Sequence, residues 1–322
     1  MHSSLRRALL AAALVFSWTQ PASADSYPNK PITLVVTQGA GSGSDIMARL
    51  LAGYLGPALG QSVVVENRAG ASGILGHQSV SRAVPDGYTL LFTSTAGLFV
   101  VPVMNPNARY SLADYTPVAP VMRAPFAVLV ANTPAAPKTL AELLAAVRAK
   151  PQNFASAGVG TMTHLGSELV LRKAGLQATH VPYKGSGAAL TDLMGGQVLF
   201  ATDSLTAAMA HIKSGRLRAL ATTDRAREGS LPDVPTLAEA GLPGLQIAAI
   251  GGIFAPKGTP KDVVDRISAA MTKVLSNPEV MQRFAAVETD PLQVSVPAFN
   301  ELLRKEEEVW SPLVRQLGLK QE

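Results

Sequence analysis

Ile32-Thr33-Leu34-Val35-Val36, followed directly by Thr37-Gln38-Gly39-Ala40-Gly41-Ser42-Gly43-Ser44-Asp45, is a short apolar strand running into a Gly/Ser loop that opens a helix. The pattern returns about 120 residues later, where Asn153-Phe154-Ala155-Ser156-Ala157 leads into Gly158-Val159-Gly160-Thr161-Met162-Thr163. A helix start leaves its first amide N–H groups unpaired and carries a partial positive charge, so each loop is read as an anion cradle. Two cradles this far apart predict two lobes that pinch one anionic ligand between them. The candidate contacts are Gly39, Gly41, Ser42, Gly43 and Ser44 in the first loop and Gly160 and Thr161 in the second. Neither loop has the third glycine of a dinucleotide fingerprint, since Ser44 and Thr163 stand there, and no Gly-x-x-x-x-Gly-Lys phosphate loop occurs.

The N-terminus has the layout of a secretory signal over residues 1–24. Arg6 and Arg7 precede an apolar run at 8–18, and Ala22-Ser23-Ala24 supplies a small-residue cleavage site. That run is shorter than the roughly 20 residues a membrane span needs, and no later segment qualifies. A soluble mature chain beginning near Asp25 and sitting in the periplasm is therefore expected. Arg6-Arg7 with Leu9 and Leu10 also has a trace of a twin-arginine signal; the general secretory route is read ahead of it.

Removing the signal takes away two arginines and no acids, so the formal charge falls from +5 to +3. With no Lys/Arg block, nucleic acid is not an expected partner. The chain has no cysteine, which excludes an N-terminal lipid-anchored Cys, a disulfide framework and thiolate chemistry together. A chain close to 300 residues buries about three-quarters of its unfolded surface and needs no such staples. Only 16% of residues are charged, while 27 Gly and 23 Pro fit a compact α/β protein with many tight connections.

Strands and helices alternate along the chain. Ile46, Met47, Leu50, Leu51, Tyr54 and Leu55 form one helical stripe over 44–55. Residues 62–66 are a β-branched run, 73–84 read as helix, and Pro85-Asp86-Gly87 turns into a strand at 88–93. Further strands are read at 180–183, 198–203 and 218–222, with helices at 139–149 and 187–194. A Pro-rich connector spans 231–243, and helices Lys261–Leu275, Pro278–Ala286 and Val296–Leu317 close the chain. The alternation predicts a mostly parallel sheet flanked by helices, with ligands at the carboxyl ends of the strands. Two long extended stretches, 118–132 and 245–255, are read as strands crossing between lobes. The first lobe is then discontinuous, built from 25–123 and 248–322, and the second is 124–247.

Several stretches resemble one family in order along the mature chain: Tyr27-Pro28-Asn29-Lys30-Pro31-Ile32, the Gly/Ser loop ending at Asp45, and Val63-Val64-Val65-Glu66-Asn67-Arg68. Pro85-Asp86-Gly87-Tyr88-Thr89-Leu90-Leu91, His180-Val181-Pro182-Tyr183-Lys184-Gly185 and Gly195-Gly196-Gln197-Val198 follow, then Pro232-Asp233-Val234-Pro235-Thr236 and Phe254-Ala255-Pro256. The chain resembles the solute-binding proteins of the tripartite tricarboxylate transporter system, the Bug proteins abundant in Bordetella. The resemblance implies a type II periplasmic binding fold, two α/β lobes with a ligand cleft between them, closing on a small carboxylated solute. It places one cleft wall at 37–45 with Ser94 and Thr95, and the other at 158–164 with Asp203. It also implies a carboxylate held by main-chain amides, hydroxyls and ordered waters. Three positions depart from the family pattern: Thr37-Gln38 where Pro-Phe is usual, Ser204 after Asp203 where Asn is usual, and Ile250-Gly251-Gly252 where an aromatic residue is usual.

Other residues carry two readings. Asp45, in the first turn of its helix, is read as a cap ahead of a ligand contact, and Ser44 is the better contact because its hydroxyl and amide both suit the cleft. Asp203 is either a loop-bracing N-cap or a wall that accepts from the ligand and repels a misplaced second carboxylate. His164 is a solvated helix-start residue or a donor to the anion. His77, His180 and His211 lack partners at metal-ligand spacing, so no metal is expected. Tyr183-Lys184-Gly185 shapes a loop beside the cleft, and Glu306-Glu307-Glu308 reads as a solvated helix face.

The function expected is capture of a small organic acid by lobe closure and delivery to the permease subunits of a membrane transporter, by a monomer without cofactor. A sensor subunit signalling to a membrane receptor would use the same parts. A secreted hydrolase lacks them: no Gly-x-Ser-x-Gly elbow, no cysteine and no metal pair. The aliphatic Ile250 favours an aliphatic acid over a ring.

Overall fold

A computed structural model describes residues 27–318, so the expected signal segment lies outside the described residues. In chain order the strands are β1 (Ile32–Val36), β2 (Val63–Asn67), β3 (Thr89–Ser94), β4 (Tyr115–Ala131) and β5 (Asn153–Ser156), then β6 (Thr179–Pro182), β7 (Phe200–Ser204), β8 (Leu217–Thr222), β9 (Ala248–Pro256) and β10 (Asp290–Pro291). The helices are α1 (Gly43–Leu59), α2 (Ile74–Ser81), α3 (Val101–Met104), α4 (Leu140–Ala149) and α5 (Met162–Lys173), then α6 (Ser186–Met194), α7 (Leu205–Lys213), α8 (Lys261–Leu275), α9 (Pro278–Ala286) and α10 (Val296–Leu317).

The strand order β2-β1-β3-β9-β4-β7-β5-β6 falls into two halves that share β4. In one half β1 pairs parallel with β2 and β3; in the other β5 pairs parallel with β6 and β7. Between them β9 and β4 run antiparallel to their neighbours, so the sheet is mixed where alternation alone predicts a mostly parallel one. The physical reason is the crossing itself: a chain that passes from one lobe to the other and back must run in both directions through the middle.

Strand β4 is the crossing strand. It is 17 residues long; Tyr115 to Pro125 pair with β9, and Phe126 to Ala131 pair with β7 and β8. Register shifts beside Pro117 and Pro120 bend it, as prolines and bulges do in a strand that lacks donors there. The second crossing differs from the expected one. β9 lies wholly in the first half, and the return is made by Leu245 to Ile247 just before it. Thr223 ties both crossings together: its hydroxyl accepts from the Phe126 amide at 2.9 Å and donates to the Ile247 carbonyl at 2.6 Å. Beside it, Arg123 on β4 forms a two-pronged ion pair with Asp224.

Helix α1 shows how the local sequence sets the site. Ser42 caps the Asp45 amide, Met47, Ala48, Leu51, Leu55 and Leu59 bury one face, and Gly60 ends the helix in the left-handed conformation. That buried stripe packs with Ile32, Leu34, Leu90 and Phe92 in the core of the first half. The second half has its own cores, one around Leu129, Leu190 and Leu205 and one around Phe154, Phe200 and Leu220. Burial on both faces explains the near-continuous apolar strands, whereas β2, at the edge, alternates.

Candidate functional site

Four helices begin at one buried cavity between the two halves. Gly43 and Ser44 open α1, Met162 and Thr163 open α5, Ser186 opens α6, and Thr206 with the cap Ser204 opens α7; all of these line the cavity. The caps occupy the third amide of three of these helices: Ser42 takes Asp45, Thr161 takes His164, and Ser204 takes Ala207. The first two amides of each helix have no intrahelical partner by geometry. The helix ends bring positive potential to one point, and the lining includes no cationic side chain. Ser94, Gln38, Asp203 and the apolar Met122, Ala124, Phe126 and Ala249 complete the wall. The cavity measures about 30 Å³, enough for about two waters.

The lobes touch around this cavity. A Cβ on Gly39 would overlap the carbonyl oxygen of Lys184; one on Gly187 would come within 2.8 Å of the Ala40 carbonyl. On the opposite side, a Cβ on Gly160 would lie 2.9 Å from the sulfur of Met104. Glycine is what permits the main-chain-to-main-chain approach at Gly39 and Gly187. Gln38 also borders a second compartment of about 270 Å³, walled by 69–73 from one half and by 157–159, Thr161 and 182–184 from the other. Its only cationic lining residue is Lys184.

Gly43, Ser44, Ser94 and Asp203 are brought together as expected. Gly39 and Gly41 form the lobe contact rather than the cavity wall, Ser42 is spent as a cap, and Thr95 is buried behind Ser94 with its hydroxyl unpartnered among the described residues. The first loop is not an open cradle throughout. Asp45 accepts from the Gly41 amide at 2.9 Å and is itself held by Arg49 and Asn67, so the chain's own carboxylate fills that end.

His164 is a clear correction. Its Nδ1 accepts from the Gly160 amide at 3.1 Å, and its ring stacks on His180 at 3.9 Å between centroids. It is buried and faces the loop interior rather than the cavity. Burial, with the neighbouring His180, pushes its pKa down to about 3, so the ring is neutral and offers no charge to an anion. Burial likewise pushes His180 down to about 4, and its Nε2 meets the Ser156 hydroxyl at 2.6 Å. The pair braces the second loop. Gly160 and Thr161 are likewise loop-shaping: Thr161 bonds the Gly158 carbonyl at 2.7 Å and lines the second compartment.

Asp203 sits at the end of β7, 1% exposed. Oδ1 accepts from the Ser186 hydroxyl at 2.8 Å and the Ser204 amide at 2.7 Å, while Oδ2 has no partner among the described residues. Burial pushes its pKa up to about 7, against hydrogen bonding from Ser186 and Ser204 that pulls it down.

Gln38 and Met162 lie in the stretches expected to wall the cleft, and Ser204 follows the expected Asp203; sequence reasoning missed Ser186 and Thr206, and the loop at 69–73. That loop carried a signal: Gly70-Ala71-Ser72-Gly73 is a third Gly/Ser segment between a strand and a helix, with Ala71 and Ser72 at positive φ. Trp310 also lies nearer than its place in the C-terminal helix suggests. It packs in one cluster with Phe126, Met162 and Ala249, which line the cavity, and its indole donates to Glu306 at 2.9 Å, so Glu306 is not part of a solvated face. Ile250 points away from the cavity and Ala249 faces it, so the missing aromatic at 250–252 does not by itself reshape the wall. Among the described residues, no group of three His, Cys, Asp or Glu is placed to hold a metal, and no helix is long and apolar enough to cross a membrane.

The sequence profile described as tripartite tricarboxylate transporter family receptor matches residues 47–319. Protein BugT of Bordetella pertussis is 36% identical over 304 residues, covering 93% of each chain. Among solved structures, the periplasmic binding protein BugD superposes with a TM-score of 0.87 at 32% identity, over 92% of this chain and 100% of its own. MatC from Rhodopseudomonas palustris, solved with bound malate, gives 0.84 at 32% identity over 89% of this chain and 100% of its own.

Proposed function

The chain belongs to the tripartite tricarboxylate transporter receptor family, and on that premise we propose that it captures a small carboxylated solute in the cavity between its lobes. The observation that carries this reading is the convergence of four helix starts on one buried, hydroxyl-lined cavity without a cationic side chain. Fixed dipoles of this kind hold an anion, and hold it more strongly once closure excludes water. The carboxylate head takes the inner cavity and the rest of the solute extends toward the compartment bordered by Gln38 and Lys184. The lobes, 25–123 with 248–322 and 124–247, close about the crossings tied by Thr223. The loaded protein works in the periplasm and passes its solute to the permease subunits of a membrane transporter. Labelled-acid uptake by cells carrying those subunits should depend on this chain, and equal uptake without it would sink the transport role.

The binding claim is tested by a thermal-shift screen of aliphatic hydroxy-, amino- and dicarboxylic acids, malate included, each paired with its methyl ester. A bound acid at a hundred times its dissociation constant adds about 2.7 kcal/mol of stability. The acid is expected to stabilise and the ester to leave the melting temperature unchanged. Equal stabilisation by the neutral partner would remove the helix-dipole argument.

A further inference from the structure

Asp203 poses a problem for any anion in this cavity. Its carboxyl group is buried, Oδ2 is unpartnered among the described residues, and the residue lines the same small cavity as the four helix starts. An ionised Asp203 and a solute carboxylate would bring two negative charges into a space of about 30 Å³ with no cation between them. Like charges so close do not both persist; one proton is shared between them or a donor intervenes.

Resting on the carboxylate-binding reading above, we propose that Asp203 is protonated in the loaded cleft and donates a hydrogen bond from Oδ2 to the solute carboxylate. The protein then takes one proton from solvent with each carboxylate it captures from a medium in which Asp203 is ionised. Oδ1 keeps the Ser186 and Ser204 bonds, which an uncharged carboxyl also accepts, so the donor is held in place by bonds already made. The helix starts supply the remaining hydrogen bonds to the anion, and Asp203 supplies the one that a carboxylate pair forbids.

The surroundings support this. β7 is packed by β4, β5, α5, α6 and α7. The charged or titratable side chains on those elements are Tyr115 and Arg123 on β4, His164, Glu168, Arg172 and Lys173 on α5, Asp192 on α6, and His211 and Lys213 on α7; α1, across the cavity, carries Asp45, Arg49 and Tyr54. None of them enters the titration of Asp203, which is set by burial against hydrogen bonds from Ser186 and Ser204. Its midpoint of about 7 already puts the proton within reach at neutral pH, and a second negative charge beside it raises that midpoint further.

Formate, the smallest carboxylate, is the probe. Protein carrying ¹³C at its aspartate carboxyl carbons is titrated by NMR with and without saturating formate, the Asp203 signal being assigned by its loss in Asp203→Asn. Formate should raise the Asp203 midpoint by about one unit or more, and wild-type affinity should fall about tenfold per pH unit above the free midpoint. Asp203→Asn, whose amide donates at every pH, should bind formate with no such slope and more tightly than wild type at about pH 9. A midpoint that stays put or moves down with formate would overturn the proposal, the second outcome meaning that the ionised group accepts from its guest. A wild-type pH slope in Asp203→Asn would overturn it too. The two readings fail separately: no acid outperforming its ester ends the carboxylate function, whereas an acid that binds without moving the Asp203 midpoint ends only the proton-linked contact.

Discussion

Gly39→Ala should weaken every acid the protein binds by about a hundredfold while leaving the solute-free fold nearly as stable as wild type. Gly39 is not at positive φ, so a methyl group costs its own backbone nothing. What the methyl meets is the carbonyl oxygen of Lys184, main chain of the opposite lobe that no rotamer change can move. The wedge therefore acts only when the lobes close. A misplacement on the order of 1 Å degrades a preorganised site by about 10²-fold. Gly53→Ala is the matched control, because a Cβ there has open space and an exposed helical Gly gains about 0.5–1 kcal/mol on replacement. Titration calorimetry with the best acid of the screen decides: unchanged affinity in Gly39→Ala would mean that the loops need not meet for binding.

Thr223→Val should cost about 2–4 kcal/mol in urea unfolding, and Thr223→Ser about 1 or less. The hydroxyl of Thr223 is fully buried and bonds both crossing segments, Phe126 on one and Ile247 on the other. Valine keeps the shape and strands the Phe126 amide and the Ile247 carbonyl, each at about 1–3 kcal/mol. The loss falls on the join between the lobes rather than on either core. A valine variant as stable as wild type would show that the crossings are not held by this side chain.

Much of this architecture was legible in residue order. Val63 to Asn67 and Thr89 to Ser94 are largely β-branched or apolar runs between turn residues, and they form strands where that chemistry says they should. The two Gly/Ser loops open helices as read, and Gly43, Ser44 and Asp203 meet although 160 residues separate Asp203 from Gly43. What stayed hidden depends on long-range packing. Asp45 caps the Gly41 amide as read, but nothing local says that Arg49 and Asn67 hold it there, or that His164 turns inward to stack on His180. Ser186 and Thr206 carry no local mark of a site until four helices are seen to start at one point. Nor does anything in the local sequence of α10, the last helix of the chain, say that it reaches back so that Trp310 packs behind the cavity wall.

On the proposed function a carboxylate draws the two lobes together. Small-angle scattering on the protein alone, with the best acid of the screen, and with that acid's methyl ester reads this closure. The radius of gyration should shrink with the acid and stay at the solute-free value with the ester. A profile that the acid leaves unchanged at saturation would contradict capture by closure.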